Sequence, residues 1–396
     1  MRADDLALTK LTKLTKRTKR EKLWASTMAP SGDGPVRRAH VDVEAKIGAT
    51  DPFDRIAREA AEEEILATGA TRARGCGHRA IEEAPDEWRT CFERDRDRIL
   101  HGTSAFRRLA GKTQVFIFPE DHQRTRLTHA LEVAQVATGI ARACRLNVAL
   151  TEAIALGHDC GHGPFGHASE DAFSSYIDGG YDHAVWGADV VLAPLNLCGE
   201  TLDGIRNHSW SRPAPSTPEG EVVAWADRIA YVCHDFEDAV CAGIVTPAML
   251  PDVVRERCGD RRSRQLDALI SGVIGATLDH GEVSLTVPLA ESLAEFRAFN
   301  YEQIYMRPAS VAQGDVVVRV LRALVEFFAD RPNALPARDI EGAGHPPEGA
   351  PAGSPQALRE AVTYVAGMTD RFAFAQARAH LGWEPSGLPA GLDLGR

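Results

Sequence analysis

The chain reads as an all-α protein. Apolar residues recur at helical spacing in one segment after another, and few stretches alternate with the period of two that a half-buried strand requires. The candidate functional residues Asp227, Tyr231 and Asp235 lie four apart, so they stack on one face of a single helix.

Residues 1–50 hold a basic low-complexity run over 9–20. It has too little apolar surface to bury and is expected to be a solvated, disordered tail. A nucleic-acid arm is the other reading, and a start at Met28 would remove the run altogether. A targeting peptide fits poorly, because no apolar stretch follows the basic start. Asp51-Pro52 resembles an N-cap with proline at the first helical position, and an acidic, Ala-rich helix continues to about Ala67. Gly, Arg and Pro punctuate 69–88, so 51–90 reads as a helix and its linker.

A core region spans 91–245. Phe92–Leu100 and Ser104–Leu109 are its first helical faces, and Pro119-Glu120-Asp121 turns the chain. Thr125–Leu146 is a strong amphipathic helix, with Leu127, Leu131, Ala134, Thr138 and Ala141 expected to face the core. Val148–Leu156 follows and is broken at Gly161, Gly163 and Pro164. Gly179-Gly180 is a turn before a helical run to Leu192, residues 211–218 form a loop, and Glu221–Val240 is helical again. Helical patterns over Leu266–Leu278 and Val316–Phe328 make 246–330 a substrate or oligomerisation region. The Pro/Gly-rich stretch 331–354 is a long loop. Within 355–396 one last helix opens at Ser354-Pro355 and ends by Gly382.

At 396 residues, 44% hydrophobic and 26% charged, the composition is that of a soluble globular protein. A formal charge of −11 argues against a general nucleic-acid coat, so an anionic ligand must be held by local Arg or Lys. The 8 cysteines include no C-x-x-C pair, which speaks against a zinc knuckle or a disulfide framework and for reduced thiols in a cytoplasm. No apolar run approaches a membrane span.

The chemistry concentrates between Arg124 and His183, centred on Gly157-His158-Asp159-Cys160-Gly161-His162-Gly163-Pro164-Phe165-Gly166-His167. His129, His158, Asp159 and Asp227 together would make a nitrogen-and-oxygen site for one hard or borderline divalent cation. His162, His167 and His183 are not needed as ligands and are candidates for a general acid. His167 is the favoured one, with Glu170, three residues on, expected to orient it. Arg126, three residues before His129, should place a guanidinium beside the cation to hold a phosphate, and Arg228 could serve likewise. Arg107, Arg108, Lys112 and Arg124 are expected to form a basic rim, with Arg307 and Arg371 reaching in from later helices. His234 is expected to be structural.

The order of these residues resembles the single-metal signature of the HD-domain phosphohydrolase superfamily. Within it, the chain resembles the deoxynucleoside triphosphate triphosphohydrolases of the deoxyguanosine-triphosphatase-like group. The resemblance covers about Phe92 to Val245, with an echo at Ala366-Gly367-Met368-Thr369-Asp370-Arg371. Besides the block above, Arg94–Leu100, Phe106–Leu109, Lys112–Phe116, Arg124–His129, Tyr181-Asp182-His183 and Ala226–Tyr231 carry it.

The resemblance implies an HD-domain helical bundle with additional C-terminal helices. It implies one divalent ion (Mn, Fe, Mg, Co, Ni or Zn), is compatible with a second beside the nucleotide phosphates, and places His162, His167 and His183 at the reaction centre. Deoxynucleoside triphosphates would be substrate and activator of a homo-oligomer. Tyr231 would pack on the deoxyribose, Asp235 would accept from its 3′-hydroxyl, and Gln114 would lie at the same sugar edge. Two alternatives remain: an HD phosphohydrolase of other nucleotides, and a nucleotide- or ssDNA-binding regulator with an idle centre.

Overall fold

The computed structural model of the chain describes residues 18–27, 30–32, 34–40, 42–115, 123–336 and 350–384. Most of the basic run, Met28, the Pro119–Asp121 turn and residues 337–349 of the long loop lie outside the described residues. The chain divides into two units, Met1–Pro52 and Phe53–Arg396. In the first, the end of the basic run is not a disordered tail but opens α1 (Lys19–Thr27). A reciprocal cap stabilises it: Glu21 N donates to the Thr18 hydroxyl at 3.2 Å, and Thr18 N donates to the Glu21 carboxylate at 2.6 Å.

The second unit is helical, and its described residues contain no strand. α2 (Arg55–Ile65) is capped by Asp54, which accepts from Ala57 N at 2.9 Å, so the helix starts later than Asp51-Pro52 implies. α3 (Cys91–His101) opens on a Thr90–Glu93 capping box, and α4 (Ser104–Arg108) follows. Next come α5 (Arg126–Ala143), α6 (Val148–Gly157), α7 (His167–Phe173), α8 (His183–Trp186), α9 (Gly199–Asn207) and α10 (Pro218–Cys241). The chain closes with α11 (Asp252–Cys258), α12 (Arg262–His280), α13 (Val287–Asn300), α14 (Pro308–Asp330), α15 (Pro355–Ala366) and α16 (Asp370–Leu381).

α5, α6 and α10 pack on one another at the centre. α5 packs closely against both of the others, and its buried surface is made largely of small and β-branched residues: Ala130, Val133, Ala134, Ala137, Ile140 and Ala141. Leu131, expected to face the core, is 48% exposed, because close helix approach favours the small residues and turns the leucine outward. The expected last helix is two, α15 and α16, broken at Gly367-Met368-Thr369.

Two apolar clusters result. The larger joins α3, α5, α6 and α10 with helices up to α13. The smaller joins Phe165, Phe173 and Trp186 to α14, α15 and α16. The Gly161–His167 loop therefore runs along the seam between them. No helix among the described residues is long and apolar enough to cross a membrane.

Candidate metal centre and catalytic cleft

His129 projects from the second turn of α5, His158 caps the C-terminus of α6, and Asp227 lies mid-way along α10. Packing of these three helices gathers the side chains, and their ligand atoms all lie within 4.8 Å of one another. His129 Nε2 is 3.0 Å from Asp227 Oδ1, and His158 Nε2 is 3.8 Å from the same oxygen. The His158 tautomer is set by Nδ1–H donating to the Ala155 carbonyl at 2.7 Å, which leaves the Nε2 lone pair free. That buried atom has no hydrogen-bond partner among the described residues. An orphaned imidazole nitrogen facing a carboxylate and a second imidazole fits a divalent cation, whose bonds of ~2.0–2.2 Å require such separations.

Asp159 is placed differently. It falls in a second group with His158 and His208. One carboxylate oxygen is 3.4 Å from His158 Nε2 and 3.2 Å from His162 Nε2, while the other accepts from Arg126 Nη1 at 2.9 Å. Burial opposes its charge, but His158, Arg126 and His162 outweigh that and hold its carboxyl well below the usual range.

A third group, His162, His167, Glu170 and His183, also has ligand atoms within 4.8 Å of one another. His162 and His183 stack at 3.7 Å between ring centroids, and His167 meets His162 edge-on at 5.1 Å. Glu170 does not orient His167 as the spacing predicts. Its carboxylate pairs with His183 Nδ1 and accepts from the His183 backbone N–H at 3.4 Å. The reason is reach: His167 begins α7 and turns to the open cleft, whereas the N-terminus of α8 lies against Glu170. Burial pulls the His183 pKa down, but Glu170 more than offsets it, so the net shift is upward. Desolvation, with Arg126 adding, lowers His167.

Over 322 residues the chain is 41% identical to a deoxyguanosinetriphosphate triphosphohydrolase-like protein of Caldanaerobacter subterraneus subsp. tengcongensis, covering 80% of this chain and 92% of the relative. The chain belongs to this family. Similar proteins of that description occur in Clostridium perfringens strain 13 (41% identity, 75% of this chain, 88% of the relative) and Ruegeria sp. TM1040 (35%, 78% and 96%). The HD domain family matches residues 126–232, and the phosphohydrolase-associated domain matches 283–379. The chain is thus an HD-domain phosphohydrolase, and HD domains bind divalent metals.

The dGTPase-like chain also arranges the residues expected to touch substrate. Arg126 is 2% exposed, and its buried Nε and Nη2 have no hydrogen-bond partner among the described residues. Gly166 (φ +61) lets it lie there, because a Cβ at that position would collide with Arg126 Nη2. Tyr231 OH accepts from Arg297 Nε at 2.9 Å, and Arg228 stacks over Trp210 at 4.1 Å. Asp235 accepts from Tyr305 OH at 2.5 Å, and burial pushes its carboxyl up to about 7. Gln114 follows Thr113, which bridges to Thr125 at the start of α5, and its buried Oε1 has no hydrogen-bond partner among the described residues.

Other expectations need correction. Lys112 and Arg124 are not a basic rim. Lys112 is 3% exposed, and Arg124 is locked to Glu132, Glu237 and Asp238. Arg307 bonds its own helix start, at Ile304 O (3.0 Å) and Ser310 Oγ (2.9 Å). His234 needs no such correction: it is buried and pairs with Glu132 at 3.0 Å, in keeping with a structural place.

Three residues of the cleft went unread in the sequence. Arg297 and Tyr305 meet Tyr231 and Asp235 only through the fold. His208 lies 4.9 Å from His158 between ring centroids, and its Nε2 is 3.2 Å from His183 Nε2. A signal for His208 does exist: like His158, it caps a helix and donates Nδ1–H to the carbonyl three residues back.

Proposed function

We propose that the protein hydrolyses deoxynucleoside triphosphates to deoxynucleoside and inorganic triphosphate, with water attacking the α-phosphorus. One observation carries the reading: a cation-ready group of His129, His158 and Asp227 adjoins, through Asp159 and His162, a second group holding three histidines and a glutamate. The relatives' names support a nucleotide triphosphate as the substrate.

His129, His158 and Asp227 would hold the cation, with Asp159 joining from the His158 side. When bound, the cation supplies positive charge that polarises phosphorus–oxygen bonds and acidifies water. The unpartnered donors of Arg126 bind phosphate oxygens, and Arg228 adds charge at the same end. The 5′-oxygen–phosphorus bond breaks and the oxygen takes a proton, which we assign to His167 at the open side of the cleft. The negative charge of a triphosphate arriving beside His167 favours its protonated form. His183, whose protonated form Glu170 favours, and His162, stacked on it, orient the α-phosphate. Tyr231 packs on the sugar, while Asp235 and Gln114 offer unpartnered acceptor oxygens to the 3′-hydroxyl edge.

Incubation with each of the four deoxynucleoside triphosphates and Mn²⁺, followed by chromatographic identification of products, tests this. Deoxynucleoside plus triphosphate is expected. Release of mono- or diphosphates would overturn it.

A further inference from the structure

We infer that Asp370, on the C-terminal helix pair, is a positioning residue that holds the catalytic loop and the Gln114 segment in register through one buried carboxylate. Oδ1 accepts from the backbone N–H of Phe165 at 2.8 Å. Oδ2 accepts from the backbone N–H of Thr113 at 2.7 Å and from its hydroxyl at 2.6 Å. Phe165 lies between His162 and His167, and Thr113 immediately precedes Gln114. A single side chain about 200 residues downstream therefore fixes two walls of the cleft (|i−j| of 205 and 257).

The loop needs such an anchor. Phe165 has φ +63 and Gly166 has φ +61, a run of left-handed residues that local preference does not hold. Packing backs the loop unevenly: Phe165 is buried in the smaller apolar cluster, whereas the start of the loop faces open space. Cys160 and Gly161 border a cavity of about 280 Å³, whose other walls include Lys112, Trp186, Ala366 and Phe372. On that side the loop is held by hydrogen bonds. Lys112 ties the His162 carbonyl to that of Ala366, and Tyr181 OH donates to the Gly161 carbonyl at 2.7 Å. Phe165 also stacks on Phe374 of α16 at 4.7 Å between centroids. The Asp370 bond is thus the anchor at the strained residue itself. All three of its donors require an acceptor, so an amide nitrogen placed there would face an N–H.

The catalytic half of this inference rests on the proposed hydrolysis; the mechanical half does not. The test is Asp370→Asn, measured in two ways on the full chain. Hydrogen exchange of the peptide spanning 161–168 is expected to quicken about tenfold, while α5 and α10 exchange as in the parent. With dGTP and Mn²⁺, kcat is expected to fall roughly 10²-fold with KM and metal content little changed. Thr113→Val should give a smaller effect of the same kind, and Thr113→Ser should restore parental behaviour; this pair decides the matter if the Asn variant does not fold. Unchanged exchange at 161–168, or faster exchange spread evenly over the whole unit, would overturn the positioning role. If the parent protein cleaves no deoxynucleoside triphosphate, the proposed function fails and the exchange pattern alone decides the anchor.

Discussion

Lys112 gives the sharpest quantitative prediction. Its ammonium is buried against the carbonyls of His162 and Ala366. Desolvation, with Arg108 adding, pushes its pKa from 10.5 down to about 7 against the opposing pull of Asp370 and Cys160. Between about pH 7 and 10.5 the unfolded chain holds a proton that the folded chain lacks, so stability rises with pH across that window. Below about 7 both states are protonated and the folded state carries the full cost. At ~1.4 kcal/mol per pH decade the whole window amounts to about 5 kcal/mol.

Lys112→Met keeps the stem and removes the titration. It also leaves two carbonyls without a donor, a loss of about 1–3 kcal/mol each that does not vary with pH. Denaturant unfolding of both proteins at pH 7, 8, 9 and 10 separates the two effects, because every other titrating group is common to both. The stability difference should swing in favour of the Met variant by several kcal/mol from pH 10 to 7. Parallel curves would refute the buried, proton-excluding environment.

His129→Ala is expected to bring bound metal to background by elemental analysis; full retention would remove the centre. Arg126→Ala should raise KM for the nucleotide and, by leaving Asp159 as an uncompensated buried charge, lower unfolding free energy by about 3–5 kcal/mol; an unchanged urea midpoint would show the pair is not buried in solution. Gly166→Ala places a Cβ against Arg126 at φ +61 and should cost about 1–3 kcal/mol with a raised KM. A parental KM would show that the guanidinium does not need that space.

The helices were legible because their signals are local, whereas His129, His158, Asp159 and Asp227 are proposed as ligands from their order along the chain and the family resemblance. Helical periodicity, Ser354 as a cap and the Asp227–Tyr231–Asp235 spacing each sit within one element. The pairings were less so. Glu170 chose His183, 13 residues away, over His167 three residues away, because chain direction at the α7 start overrode helical spacing. Lys112 reads as one more surface charge beside Arg107 and Arg108, and only the arrival of Ala366 from 254 residues away buries it. Leu131 misled for a related reason: helix stripes are set by how many neighbours a helix has, and α5 has two close ones.

These failures share a cause that bears on how the protein works. The proposed metal ligands come from helices that pack directly on one another, so their geometry follows from core packing and survives small changes elsewhere. The loop bearing His162 and His167 lies between two apolar clusters, with a cavity behind it and left-handed residues within it. Its geometry is supplied at long range by Asp370 and by Lys112 bound to the Ala366 carbonyl, and both Ala366 and Asp370 lie in the region matched by the phosphohydrolase-associated domain. On the proposed mechanism the HD segment alone would present ligands to a cation, while the alignment of the His167 acid with the phosphate would depend on the C-terminal helices. Perturbing those helices should reduce turnover well before it reduces metal binding.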